Sequence, residues 1–112
     1  MSTISTHVLD TARGVPAEGM PIKLERQTAD GWQVLSEQVT NHDGRVGALV
    51  PEGRIDLGVH RMTFGTAAYH ATLGVKGFYP HVEVLFEILA SDEHYHVPLL
   101  ISPFGYSTYR GS

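Results

Sequence analysis

Most of this chain alternates apolar and polar side chains with a period of two, in short runs separated by glycine, proline and Asp-Gly turns. Successive side chains of an extended strand point to opposite faces, so the pattern commits the chain to sheets with one face buried. In the first run Ile4, Thr6 and Val8 alternate with Ser5, His7 and Leu9, which puts His7 on the face opposite Ile4 and Val8. Met20, Ile22 and Leu24 then alternate with Pro21, Lys23 and Glu25. Ala29-Asp30-Gly31 predicts a hairpin, because Asp-Gly supplies the positive φ of a tight turn, and Trp32 to Val39 returns as its second strand. Asn41-His42-Asp43-Gly44 predicts another turn, with Arg45 fixed directly after it. Beyond a less regular passage through Pro51 and Gly53, strands are expected at Gly58 to Phe64, Val82 to Leu89 and His94 to Ile101, and a last short one at Tyr106 to Tyr109.

Two features interrupt this rhythm. Thr66 to Gly74 is the one helical segment, with Thr66 expected as N-cap and Gly74 as the stop. Pro98, inside the run from His94, cannot donate to a ladder and marks an edge or a bulge. Along the His94 run, His94, His96, Pro98 and Leu100 share one face, and Tyr95, Val97, Leu99 and Ile101 share the other. Seven or eight short strands with one short helix imply an all-β antiparallel sandwich, and a length of 112 residues suits a single domain over residues 1–112.

Charge and composition remove several classes of function. The formal net charge is −4, with both signs scattered along the chain, so there is no basic stripe to neutralise phosphates and no nucleic-acid partner is expected. No apolar run approaches the roughly 20 residues needed to span a bilayer. The first seven residues, Met1 to His7, lack the cationic and apolar regions of a secretory leader, so a cytoplasmic location is expected. The absence of cysteine removes disulfides and thiolate chemistry.

Chemistry then rests on His7, Arg45, the His94-x-His96 pair and the aromatic carboxyl-terminal tail. Imidazole titrates near neutral pH, so two histidines at one site can move a proton to or from water. An arginine beside them can hold a carbonyl-rich or anionic substrate through two parallel hydrogen bonds. Each residue also has a plainer reading. His7 can be a structural strand residue and Arg45 a solvated charge, while His94 and His96 can join His7 as zinc ligands. Ser102, Ser107 and Ser112 lie near the histidines, but no Gly-x-Ser-x-Gly elbow is present to make one a nucleophile. His42, His60, His70 and His81 share no pattern and read as structural.

Five motifs give the chain a likeness that spans nearly its whole length: Ser5-Thr-His-Val-Leu-Asp-Thr11, Thr40-Asn-His-Asp-Gly-Arg45, Gly77-Phe-Tyr-Pro80, His94-Tyr-His-Val-Pro-Leu-Leu100 and the terminal Tyr109-Arg-Gly-Ser112. It resembles the 5-hydroxyisourate hydrolases of the transthyretin-related family, in which the terminal tetrapeptide separates hydrolases from the hormone-carrying transthyretins. The resemblance implies a transthyretin-like sandwich, a homotetramer with active sites in clefts where dimers meet, and hydrolytic opening of the six-membered ring of 5-hydroxyisourate without metal or organic cofactor. By motif position it implies His7, Arg45, His96 and Ser112 as catalytic residues, with His7, Arg45, Tyr109, Arg110 and Gly111 binding substrate. The competing expectation is a sandwich of the same kind that captures a hydrophobic, hormone-type ligand without catalysis.

Overall fold

The computed structural model describes residues 3–50 and 55–112, so the expected irregular passage through Pro51 and Gly53 lies outside the described residues. Within them the elements run β1 (Ile4–Asp10), β2 (Val15–Pro16), β3 (Pro21–Thr28), β4 (Gly31–Val39), β5 (Arg45–Val46), β6 (Gly58–Phe64), α1 (Thr66–Thr72), β7 (Val82–Ile88), β8 (Tyr95–His96), β9 (Leu99–Ser102) and β10 (Gly105–Thr108). Seven of these strands have four or more residues, and β2, β5 and β8 are two-residue bridges onto β1.

Two sheets form the sandwich, one ordered β4-β3-β6-β7 and the other organised around β1, with β10-β9-β1-β2 as its path and β5 and β8 also paired to β1. Their inner faces meet in one core. Ile4, Val8, Leu99 and Ile101 come from the β1 sheet, and Ile22, Leu24, Met62 and Phe64 from the other, each no more than 2% exposed. Burying side chains of this kind is worth about 1.5–3 kcal/mol apiece, which is what pins the register of each strand.

The β3–β4 hairpin forms where Asp30-Gly31 predicts it, with Thr28 paired to Gly31 across a two-residue loop. Its positive φ falls on Gly31 alone, at +131°. Two pairings depart from the antiparallel expectation: β1 runs parallel to β8 and to β9. These strands lie about ninety positions apart in sequence, so no hairpin dictates their direction, and the parallel option is open to them. The expected single strand from His94 to Ile101 is divided by Pro98 into β8 and β9, yet both keep one register against β1, Ile4 to Tyr95 and Val8 to Leu99.

The helix and its cap begin one residue earlier than expected. Gly65 occupies the N-cap, without a side-chain hydrogen bond, and Thr66 is the first helical residue, its Oγ1 buried and unpartnered. Packing decides this. Gly65 N donates to Pro21 O at 2.8 Å, and a Cβ on residue 65 would sit 3.1 Å from the Pro21 ring, so the chain enters the helix hard against the start of β3. Gly74, at φ +69°, ends the helix as expected. Tyr69 anchors α1 to the end of β1 by donating to Asp10 Oδ2 at 2.7 Å.

Candidate active site

The outer face of β1 presents Ser5 and His7 two residues apart, and the strands on either side bring the other polar groups to them. On one side β5 pairs antiparallel, placing Arg45 opposite His7. On the other β8 pairs parallel, placing His96 opposite Ser5. A central strand with one short neighbour on each flank thus gathers three distant segments of sequence.

The turn before Arg45 is rigid for identifiable reasons. Asn41 Oδ1 accepts from the backbone N–H groups of Asp43 at 2.9 Å and Arg45 at 3.0 Å. Gly44 has φ +72°, and a Cβ there would lie 2.4 Å from Val8 O, so only glycine lets the turn approach β1 this closely. Arg45 is therefore delivered by a fixed turn, as the sequence leads one to expect.

The cleft in front of these strands has a volume of about 280 Å³ and is lined by Ser5, Thr6, Arg45, Val46, Gly47, His94, His96 and Ser112. Ser5 Oγ lies 2.8 Å from His96 Nδ1 and 3.0 Å from His94 Nε2, and the two imidazole rings stack at 6.3 Å with an interplanar angle of 17°. Among the described residues no protein group bonds His96 Nε2. His7 does not line the cleft itself but stands beside it, opposite Arg45.

The tail closes the arrangement from above. Gly111 N donates to His96 O at 2.9 Å, and a Cβ on Gly111 would fall 2.5 Å from His96 Cδ2 and 3.2 Å from Pro98 Cγ. Backbone at position 111 therefore lies flat on the imidazole, and Ser112 follows into the cleft. Tyr109 and Arg110 are placed differently. They line a neighbouring groove of about 250 Å³ with β7 residues Val84 to Glu87, and His96 borders this groove as well as the cleft. Arg110 Nη2 donates to Glu93 Oε1 at 3.0 Å and to His94 O at 3.3 Å, and its guanidinium lies 4.5 Å above the Tyr95 ring. Arg110 thus braces the turn that carries His94.

Electrostatics favour neutral imidazoles. Burial first, and the Arg45 guanidinium second, hold His7 below its ordinary value of 6.5. His96 is lowered by the same two causes in the same order, and further by His94 and His7. A neutral imidazole can accept a proton, so if either ring is the base, kcat/KM should rise with pH along a limb whose midpoint lies below 6.5. Replacing Arg45 with glutamine removes one cause of the lowering and should move the acid limb to higher pH. A pH–rate profile together with NMR titration of the two rings measures this, and an unmoved limb would contradict it.

Of the residues anticipated from sequence, His96, Arg45 and Ser112 line one cleft, His7 flanks it, Gly111 packs on His96, and Tyr109 and Arg110 face the neighbouring groove. The His94–His96 pair was anticipated, but Ser5, whose hydroxyl joins the two rings, was not. The available signal was that Ser5 lies two residues before His7 and so shares its strand face. Among the described residues no group of three His, Asp or Glu side chains is arranged to hold a metal ion, including His7 with His94 and His96.

Comparison with known proteins gives a consistent result. A family model described as the HIUase/Transthyretin family matches residues 4–111. A 5-hydroxyisourate hydrolase of Mus musculus is 44% identical, covering 99% of this chain and 96% of that protein. The structure of Klebsiella pneumoniae 5-hydroxyisourate hydrolase superposes with a TM-score of 0.88 at 38% identity, covering 100% of this chain and 94% of that one. Sea bream transthyretin in complex with thyroxine superposes with a TM-score of 0.91 at 33% identity, covering 97% of this chain and 94% of that one.

Proposed function

Because the chain belongs to the HIUase/transthyretin family, we propose that its cleft hydrolyses 5-hydroxyisourate, opening the six-membered ring in urate degradation to give 2-oxo-4-hydroxy-4-carboxy-5-ureidoimidazoline. The protein is an enzyme of this hydrolase type. The observation that carries the reading is 44% identity to a hydrolase of that name over 99% of the chain. Fold alone does not separate hydrolase from carrier, since the TM-scores to the two kinds of structure are 0.88 and 0.91. The cleft supports the hydrolase, because an arginine, two imidazoles and a hydroxyl suit a polar, carbonyl-rich ring better than an aromatic hormone-type ligand.

In this proposal His96 and His7 position a water molecule and His96 Nε2 takes its proton as the oxygen attacks the ring carbonyl. Arg45 donates to the carbonyl oxygen as it gains negative charge, an interaction whose loss typically costs about 10²- to 10³-fold in kcat. Ser112 donates to the substrate or to an imidazole, and Gly111 keeps the His96 ring in place. Tyr109 and Arg110 act on substrate through the tail they hold. None of these steps calls on a cofactor.

A homotetramer belongs to the same proposal. β7 and β10 are edge strands, and Leu85, Leu89, Tyr106 and Tyr109 on or just beyond them are 45–75% exposed, an apolar surface that association would cover. A cytoplasmic location is also part of it, checked by cell fractionation. The direct test is decay of ultraviolet absorbance of freshly generated 5-hydroxyisourate, run on protein whose mass is measured by sedimentation. Catalysed decay by a tetramer is expected. A rate equal to the spontaneous one would overturn the hydrolase reading, and an active monomer would overturn the tetramer.

A further inference from the structure

The Ser5 hydroxyl is shared between two imidazoles that reach it from the same segment. Its oxygen is 2.8 Å from His96 Nδ1 and 3.0 Å from His94 Nε2. Both distances are hydrogen bonds, yet a hydroxyl carries one proton. With both rings neutral it donates to one nitrogen and accepts an N–H from the other. If it donates to His94, His96 holds its proton on Nδ1 and leaves Nε2 as a bare lone pair toward the cleft. If it donates to His96, Nε2 of His96 carries the proton and is a donor. One hydroxyl rotation therefore switches His96 between base and acid, provided His94 changes tautomer with it.

The surroundings hold the three groups in that relation. Ser5 is only 7% exposed, and its backbone is paired with β8, Val97 N donating to Ser5 O at 2.9 Å. Gly111 lies against Cδ2 of the His96 ring. His94, in contrast, is exposed, and Arg110 holds its backbone carbonyl. The chain therefore links a half-buried imidazole at the cleft to an exposed one through a single fixed hydroxyl.

Building on the hydrolase reading, we propose that Ser5 and His94 form a proton relay for His96, storing the proton of the attacking water between addition and ring opening. As water adds to the carbonyl carbon, one of its O–H bonds breaks and the proton bonds to His96 Nε2. The Nδ1–H proton of His96 passes to Ser5 Oγ while the Ser5 proton passes to His94 Nε2. His96 is then neutral with its proton on Nε2, Ser5 is again a hydroxyl, and His94 carries the positive charge. When the C–N bond breaks, its electron pair on nitrogen takes the Nε2 proton. The stored proton returns from His94 through Ser5 to His96 Nδ1. The starting state is restored, and no other reactant is consumed. Ser5 and His94 are positioning and relay residues in this scheme, and of the three only His96 touches the reacting atoms.

The relay is tested with Ser5→Ala, His94→Gln and the double variant. Each single change should lower kcat for 5-hydroxyisourate by about 10²-fold, the lower end of general acid–base contributions, and leave KM within about twofold. Because the two residues act as one unit, the double variant should be no slower than the slower single variant. His94 is exposed, so His94→Gln folds even where Ser5→Ala does not, and wild-type kcat in His94→Gln overturns the relay. Additive losses in the double variant overturn it too. Nitrogen-15 NMR of the substrate-free wild type reads the tautomers independently of turnover. Because Ser5 meets His96 at Nδ1 and His94 at Nε2, the same tautomer on both rings is expected, Nδ1–H on each or Nε2–H on each. Opposite tautomers on the two rings overturn the coupling. Failure of the wild type to act on 5-hydroxyisourate, with matching tautomers intact, would sink the hydrolase reading and leave the coupled pair standing.

Discussion

Replacing His96 with alanine should lower kcat/KM for 5-hydroxyisourate by about 10²- to 10⁴-fold, the range of general acid–base contributions. Its ring lines the cleft with Arg45 and Ser112, is oriented by Ser5 through Nδ1, and has Nε2 free of protein partners among the described residues. The fold should survive. Neighbouring Tyr95 and Val97 carry the core packing of this segment at 5% exposed each, while His96 lies on the opposite, cleft face. His96→Gln sharpens the test, because a glutamine preserves polarity and bulk but cannot accept and return a proton at neutral pH. Both variants should unfold close to the wild-type temperature by circular dichroism. A kcat/KM within about threefold of wild type in His96→Gln would remove His96 from the proton-transfer step.

The second large effect should come from a single methyl group. Gly111→Ala puts a Cβ where His96 Cδ2 now lies 2.5 Å away, with Pro98 Cγ at 3.2 Å on the other approach. The proline cannot yield, so the imidazole or the tail must move. Displacement of a reacting group by about 1 Å can cost on the order of 10²-fold in rate, and that is the loss expected here. Removing residues 109–112 entirely should do more, because it also takes Ser112 from the cleft and Arg110 from Glu93 and the His94 carbonyl. Stability should change little on deletion. The Arg110–Glu93 pair is more than half exposed on both sides and worth less than about 1 kcal/mol. Turnover by the truncated protein at the wild-type rate would reduce the tail to a surface ornament, whereas an inactive but folded protein supports its proposed part in the site.

These two expectations stand differently toward the sequence. His96 was legible as a candidate because a histidine on a strand face near neutral pH has an obvious chemistry, and its motif matched the family pattern. The reason Gly111 matters was not legible. A glycine near a chain end ordinarily reads as flexible, and only the proximity of a ring from a separate strand makes its missing side chain necessary. Ser5 was hard to see for a similar reason, its place on the strand face of His7 being the one signal. Serine on a strand has no signature of its own until two imidazoles from about ninety residues away converge on its hydroxyl. Thr66 shows the converse, since a strong local capping preference was displaced by one residue when Gly65 packed against Pro21.

What the sequence determined by itself was the alternation that makes strands, the Asp-Gly hairpin, the rigid turn before Arg45, and the face on which His7 lies. All of these depend on neighbours within a few residues, where backbone sterics and side-chain periodicity act directly. The tertiary structure alone decided that β1 runs parallel to β8 and β9, that Arg45 and His96 flank it on opposite sides, and that Arg110 turns toward the β7 groove rather than the histidine cleft. Pairings across some ninety residues are fixed by which apolar faces can be buried together in one core, a condition on the whole chain that no local segment can express.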